Sequence, residues 1–342
     1  MRLPTIVTGL LVAGILTLAT GTLDAPAQAA ARSSESGIGI RLLEAPVAAR
    51  ADKRAWAYIV DHLAPGTVIH RRVEVFNTTG SPKQLSIYSA AAQIRDRKFQ
   101  FADDHTANEL SAWTSMDRHE VVLPPEGRAP VTVTVAVPDD AAPGERYAMI
   151  WAETAKAAPP GGGLAQINRV GIRLYLDVGR GNPPPSDFTI DSLTAQRSPD
   201  GQQAVMAQVH NTGGRALDLS GDLKLTSSSG SQHHSAGPYR VQTGTTLAPG
   251  DTGSVTATLT EQVPDGPWRA RMRLESGLTK RSAEATIRFP AAGAARAVKA
   301  EMDTDPYLMV ALAVGAFLAV LAAITFLLIQ RKRRSRREPS NA

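Results

Sequence analysis

The chain has 342 residues, long enough for two domains of ordinary size. It is 43% hydrophobic and 20% charged, which excludes wholesale disorder, and it holds no cysteine. The missing cysteines exclude a disulfide framework, thiolate metal sites, iron–sulfur clusters, a cysteine nucleophile and a lipid-modified cysteine. The formal net charge of +5 points to a nucleic-acid or membrane-surface partner, unless the charge is concentrated in one place.

In chain order, residues 1–29 read as a secretory signal peptide. Arg2 is followed by an apolar run from Thr5 to Ala19 and by Ala27-Gln28-Ala29, a small-x-small cleavage site. Residues 36–179 carry period-two alternation bounded by turn residues. Val131-Thr132-Val133-Thr134-Val135 puts valines on one face and threonines on the other, the pattern of a half-buried strand. Ile172, Leu174, Leu176 and Val178 alternate with Arg173, Tyr175 and Asp177. Residues 180–186 interrupt the pattern: Pro183-Pro184-Pro185 cannot donate ladder hydrogen bonds and predicts a semi-rigid spacer. Residues 187–289 return to strand-and-turn signals. Residues 290–306 are Ala-rich and then acidic, and read as a juxtamembrane stalk.

Tyr307 to Ile329 is a stretch of 23 residues without a charge. As a helix it is about 34 Å long, enough to cross a ~30 Å hydrocarbon core. Arg331, Lys332, Arg333, Arg334, Arg336 and Arg337 follow, within a short tail of residues 330–342. A basic cluster against a span marks its cytoplasmic side. The only acid in that tail is Glu338, so the tail accounts for the whole excess of +5. Residues 30–306 hold 30 basic and 30 acidic side chains, which removes the charge argument for nucleic-acid binding.

The two β segments repeat one another. Val73-Glu74-Val75-Phe76-Asn77-Thr78-Thr79-Gly80 matches Ala207-Gln208-Val209-His210-Asn211-Thr212-Gly213-Gly214, each a strand ending in an Asn/Gly turn. Leu123-Pro124 matches Leu247-Ala248, and Val137-Pro138-Asp139 matches Val263-Pro264-Asp265. The first segment carries an insertion between about Ala91 and Glu120. The expected fold class is all-β, with two tandem immunoglobulin-like β-sandwich domains plus the signal peptide and one C-terminal transmembrane helix.

Catalytic signatures are missing from the sequence. The seven histidines form no His-Glu-x-x-His pair, and no nucleophile elbow, Ser-x-x-Lys or phosphate loop occurs. Asp103-Asp104-His105 has the look of a metal corner but lies in the polar insertion, where a solvated loop is the simpler reading. Asn77-Thr78-Thr79 fits the glycosylation pattern, yet its turn recurs at Asn211 without a sequon, so it reads as a turn. Trp113, in Leu110-Ser111-Ala112-Trp113, is the one candidate ligand contact, either as a sugar-stacking platform or as a plug of the core. Trp56, Trp151 and Trp268 read as core or strand-edge residues. No enzyme activity, cofactor or metal is expected.

The order of these features resembles the WxL-interacting proteins of Gram-positive bacteria. The likeness rests on the Asn77 to Gly80 turn, Leu110-Ser111-Ala112-Trp113, Leu123-Pro124-Pro125 and the run Val137-Pro138-Asp139-Asp140-Ala141-Ala142-Pro143-Gly144-Glu145-Arg146-Tyr147. A second β domain, a span and a basic tail complete it. The resemblance implies a first domain that binds peptidoglycan and a second that binds partner proteins. It gives the expectation of a membrane-anchored cell-surface adaptor binding peptidoglycan or wall-associated proteins. The alternative is a surface assembly or adhesion protein that binds a secreted protein without touching glycan. The expected location is the cell membrane, single-pass, with both β domains outside.

Overall fold

The computed structural model describes residues 37–156, 166–229 and 232–303. In chain order the first strands are β1 (Ile38–Leu42), β2 (Ile59–Leu63), β3 (Val68–Asn77), β4 (Lys83–Arg95) and β5 (Lys98–Phe101). β6 (Thr114–Met116), β7 (Glu120–Leu123), β8 (Arg128–Ala136), β9 (Gly144–Lys156) and β10 (Gln166–Val178) complete the N-terminal lobe. The C-terminal lobe holds β11 (Phe188–Arg197), β12 (Gln203–Asn211), β13 (Leu217–Asp218), β14 (Ser220–Ser229), β15 (Gln232–Arg240) and β16 (Thr246–Leu247). It continues through β17 (Thr252–Thr258), β18 (Trp268–Ser276), β19 (Thr279–Ile287), β20 (Gly293–Ala294), β21 (Val298–Lys299) and β22 (Glu301–Met302). The helices α1 (Arg54–Ala57) and α2 (Glu109–Ala112) have four residues each. The chain is all-β.

Alternation builds these strands. In β8, Val131, Val133 and Val135 are fully buried while Thr132 and Thr134 are half-buried. In β10, Ile172, Leu174, Leu176 and Val178 point into the core. The N-terminal lobe pairs a four-stranded sheet, β1-β3-β8-β6, with a six-stranded one, β2-β10-β9-β4-β5 with β7 also on β4. One apolar core draws on both. The C-terminal lobe has β17-β12-β11, extended by β20 and β21, and β15-β14-β18-β19-β22. A second core fills the space between them.

The repeat seen in the sequence has a structural counterpart in one side chain of each lobe. Asn77 Nδ2 donates to the carbonyls of Ser81, Leu123 and Pro124 at 2.9, 3.4 and 3.0 Å. Asn211 Nδ2 donates to those of Arg215, Leu247 and Ala248 at 2.9, 3.1 and 3.0 Å. Each asparagine is 1% exposed and ties a strand end to the matching loop. That burial is why position 77 is an asparagine, and it leaves the amide no room to carry a sugar.

No strand falls between Val178 and Phe188, where the proline run lies. Residues beyond 289, expected as a stalk, pack on the C-terminal lobe as far as they are described. Val298 pairs with Leu193 in β11, and Met302 with Ala283 in β19.

The single-pass membrane placement expected above does not stand. Among the described residues no helix is long and apolar enough to cross a membrane. The expected signal peptide (1–29), span (307–329) and basic tail (330–342, with Arg331, Lys332, Arg333, Arg334, Arg336 and Arg337) lie outside the described residues.

Candidate functional site

The candidate surface is built on the outer face of the large N-terminal sheet. Register decides which side chains share it. β9 and β10 pair Tyr147 with Tyr175, Met149 with Arg173, Trp151 with Gly171 and Glu153 with Arg169. Their neighbours Ala148, Ile150 and Ala152 face the core instead. Directly opposed residues of an antiparallel pair point to one side, so this face carries aromatic and guanidinium groups in rows. Gly171 makes room for the indole. A Cβ there would meet Trp151 Cε3 and Met149 Cε at 2.6 Å.

The insertion between Ala91 and Glu120 covers this face. β4 and β5 are joined by Asp96 and Arg97, both with positive φ (51° and 59°), the signature of a two-residue type I′ turn. The hairpin lays Phe99 against Tyr147 and Tyr175, with ring centroids 6.1 and 5.1 Å apart. Phe101 meets Trp151 edge-on at 5.1 Å. Arg169 stacks over both rings, 4.6 Å from the Trp151 centroid and 5.2 Å from that of Phe101.

At one end of the face the C-terminal lobe docks. Asp218 Oδ1 accepts from Arg173 Nη1 and Tyr175 Oη at 3.0 Å each and from Thr246 Oγ1 at 2.8 Å. Arg54 Nη2 forms an ion pair with Asp218 Oδ2 at 2.9 Å, and its Nη1 donates to the Ala216 carbonyl at 3.1 Å. Glu145 accepts the Ala216 amide at 2.8 and 3.0 Å and the Tyr147 hydroxyl at 2.6 Å. Burial pushes the Glu145 carboxyl above its ordinary value, against the lowering effect of those hydrogen bonds. Burial also raises the phenols of Tyr147 and Tyr175, so both remain proton donors. The hairpin tip joins in, with the Arg97 carbonyl accepting from the Thr246 amide at 2.9 Å.

Beside this junction lies an interlobe cavity of about 950 Å³, walled by Ala141, Pro143, Pro184 and Pro249. His62 and Asp177 close one side, with His62 Nδ1 at 2.5 Å from Asp177 Oδ2. His62 Nε2 donates to the Gly181 carbonyl at 3.1 Å, which clasps the start of the linker.

The other end of the face is open. Phe101 is 50% and Ile167 59% exposed, and Arg169 lies between them. Beneath sit Trp151, 5% exposed, and Tyr88, whose hydroxyl donates to Glu153 Oε2 at 2.5 Å. Burial and the adjacent Glu153 push the Tyr88 phenol up to about 12. His105 stacks flat on Tyr88 with ring centroids 3.8 Å apart. Trp151 Nε1 is buried without a hydrogen-bond partner.

The expected candidate Trp113 stands apart from this patch. It closes α2, whose start is capped by Asn108 accepting from the Ser111 amide at 2.9 Å. It packs against the N-terminal core. Arg146 covers its ring at 5.0 Å while donating from Nε to Glu109 Oε2 at 2.8 Å. The patch residues Phe101, Arg169 and Ile167 went unnoticed in the sequence. The alternating Phe99-Gln100-Phe101 inside the polar insertion was the available signal. Among the described residues no group of three or more His, Asp and Glu could hold a metal ion.

No family model matches this chain, and no curated protein does. Solved structures with partial likeness include the Pseudomonas aeruginosa CupB2 chaperone, 12% identical, covering 68% of this chain and 98% of that one, TM-score 0.35. The E. coli chaperone DraB is 12% identical, covering 67% and 96%, TM-score 0.35. The Salmonella enterica SafA pilin in complex with the SafB chaperone gives 9% identity, 67% and 94%, TM-score 0.38.

Proposed function

We propose that this protein is a non-catalytic surface-assembly protein that docks a secreted protein partner on its N-terminal lobe. Its two lobes are tandem immunoglobulin-like sandwiches, a reading supported by the paired corners at Asn77 and Asn211. The observation that carries the proposal is the open patch: exposed Phe101 and Ile167 with half-buried Arg169, over Trp151 and Tyr88. Tryptophan, tyrosine and arginine beside exposed apolar side chains are the composition of protein–protein hot spots. A sugar ring would need an open aromatic face, and Trp151 and Trp113 carry guanidinium groups on theirs.

A photoreactive phenylalanine analogue at Phe101, activated in cells, tests the reading. The expected outcome is one protein trapped at Phe101 and not at Thr286 on the other lobe. Recovery of glycan fragments alone would overturn it. Arg169→Ala is expected to weaken partner binding by about thirtyfold, a hot-spot loss of about 2 kcal/mol.

A further inference from the structure

The C-terminal lobe presents a second face that the aromatic patch does not explain. Strand β18 reads Arg269-Ala270-Arg271-Met272-Arg273, with Ala270 and Met272 fully buried. The three arginines therefore lie on the outer side of the sheet, two residues apart, which is about 7 Å along a strand. Neighbouring strands add Lys224, which pairs in register with Arg271, and Arg240, which pairs with Asp222 beside Arg273. Lys224, Arg240 and Arg273 border a depression of about 1170 Å³ that also takes in Lys280, Arg281 and the acids Asp222 and Glu275.

Part of this charge is already satisfied. Glu284 lies 3.5 Å from Arg269 and 3.6 Å from Arg271, Asp303 pairs with Arg271, and Asp187 pairs with Arg281 at 2.6 Å. Lys224, Arg240 and Arg273 are exposed and have no ion-pair partner among the described residues. The chain itself shows what the face accepts. Its acidic segment Glu301-Met302-Asp303 runs extended, pairs with β19 and sets Asp303 on Arg271.

We propose that this face binds an extended acidic polypeptide segment with carboxylates at alternate positions. Lys224 lies in the cross-strand row of Arg271, and Arg240 and Arg273 lie in the row of Asp222, two residues or about 7 Å further along the strands, which is the spacing of alternate acids on an extended peptide. The unpaired cations on β14, β15 and β18 span two strand spacings, about 10 Å. That spread suits a row of carboxylates better than one phosphate, which needs donors converging on a point. The site is independent of the patch around Phe101.

The test uses the full chain and a labelled peptide of alternating Glu and Ser, with an alternating Lys and Ser peptide for comparison. The Glu peptide is expected to bind at low ionic strength and to be released by salt. Lys224→Glu, Arg240→Glu and Arg273→Glu are each expected to weaken it about fivefold. Arg118→Glu on the other lobe leaves it unchanged. Thermal melts of each variant confirm folding, and Arg273→Gln gives the same direction should a reversal misfold. The proposal fails if the Lys peptide binds equally well, if the reversals change nothing, or if inorganic polyphosphate binds and the Glu peptide does not. Photo-crosslinking at Phe101 stays intact in these variants, which separates a failure here from a failure of the partner patch.

Discussion

At the scale of single residues, buried polar groups are the points where this fold is most exposed to damage. Asn77 and Asn211 each bridge three loop carbonyls from a buried position. Asn211→Ala is expected to cost about 3 kcal/mol, read by chemical denaturation, because three hydrogen bonds that tie the strand end to its loop are lost at once. Glu145 has the opposite character. Its carboxyl is raised by burial above the ordinary 4.5, so the folded chain holds that proton more tightly than the unfolded chain does. Its contribution therefore falls as pH rises from about 4.5 through the raised value. Glu145→Gln keeps acceptor oxygen for Ala216 and Tyr147 and removes the charge. Its thermal midpoint relative to the parent chain is expected to climb across that window. A constant difference at all pH values would show that the carboxylate is not the cause.

At the scale of elements, the β4–β5 hairpin does work that its polar composition conceals. The insertion carrying it was legible as an interruption of the repeat, and its acids and histidine read as a solvated loop. Asp103, Asp104 and His105 are indeed exposed in a loop, but His105 also stacks on Tyr88, and Phe99 and Phe101 roof the aromatic face. Alternation within four residues is too short to reveal which surface a hairpin will cover. The turn itself stores strain, since Arg97 is a non-glycine residue at φ 59°. Arg97→Gly is expected to stabilise the chain by about 1 kcal/mol through relief of that conformation, with the backbone bond to Thr246 kept. A loss of stability would mean that the Arg97 side chain, packed on Gly253, matters more than the turn.

For the whole molecule, the decisive feature is the docking of one lobe on the other through Asp218. Its partners Arg54 and Arg173 are 12% and 27% exposed, so the pairs are only partly screened. Asp218→Ala is expected to cost about 3 kcal/mol, leaving two guanidinium groups without their anion. It is also expected to split one cooperative thermal transition into two, since the junction is what couples the two cores. The strands, the Asn turns and the repeat were all readable from the sequence, because alternation and turn chemistry act between residues close in the chain. The proline run likewise announced a break in strand structure by its missing N–H groups. What only the tertiary structure decided is which side chains meet. Tyr175 finds Asp218 43 residues away and Arg54 finds Ala216 162 residues away. No local pattern encodes such distances, because they follow from how sheets stack, twist and leave one aromatic face half covered.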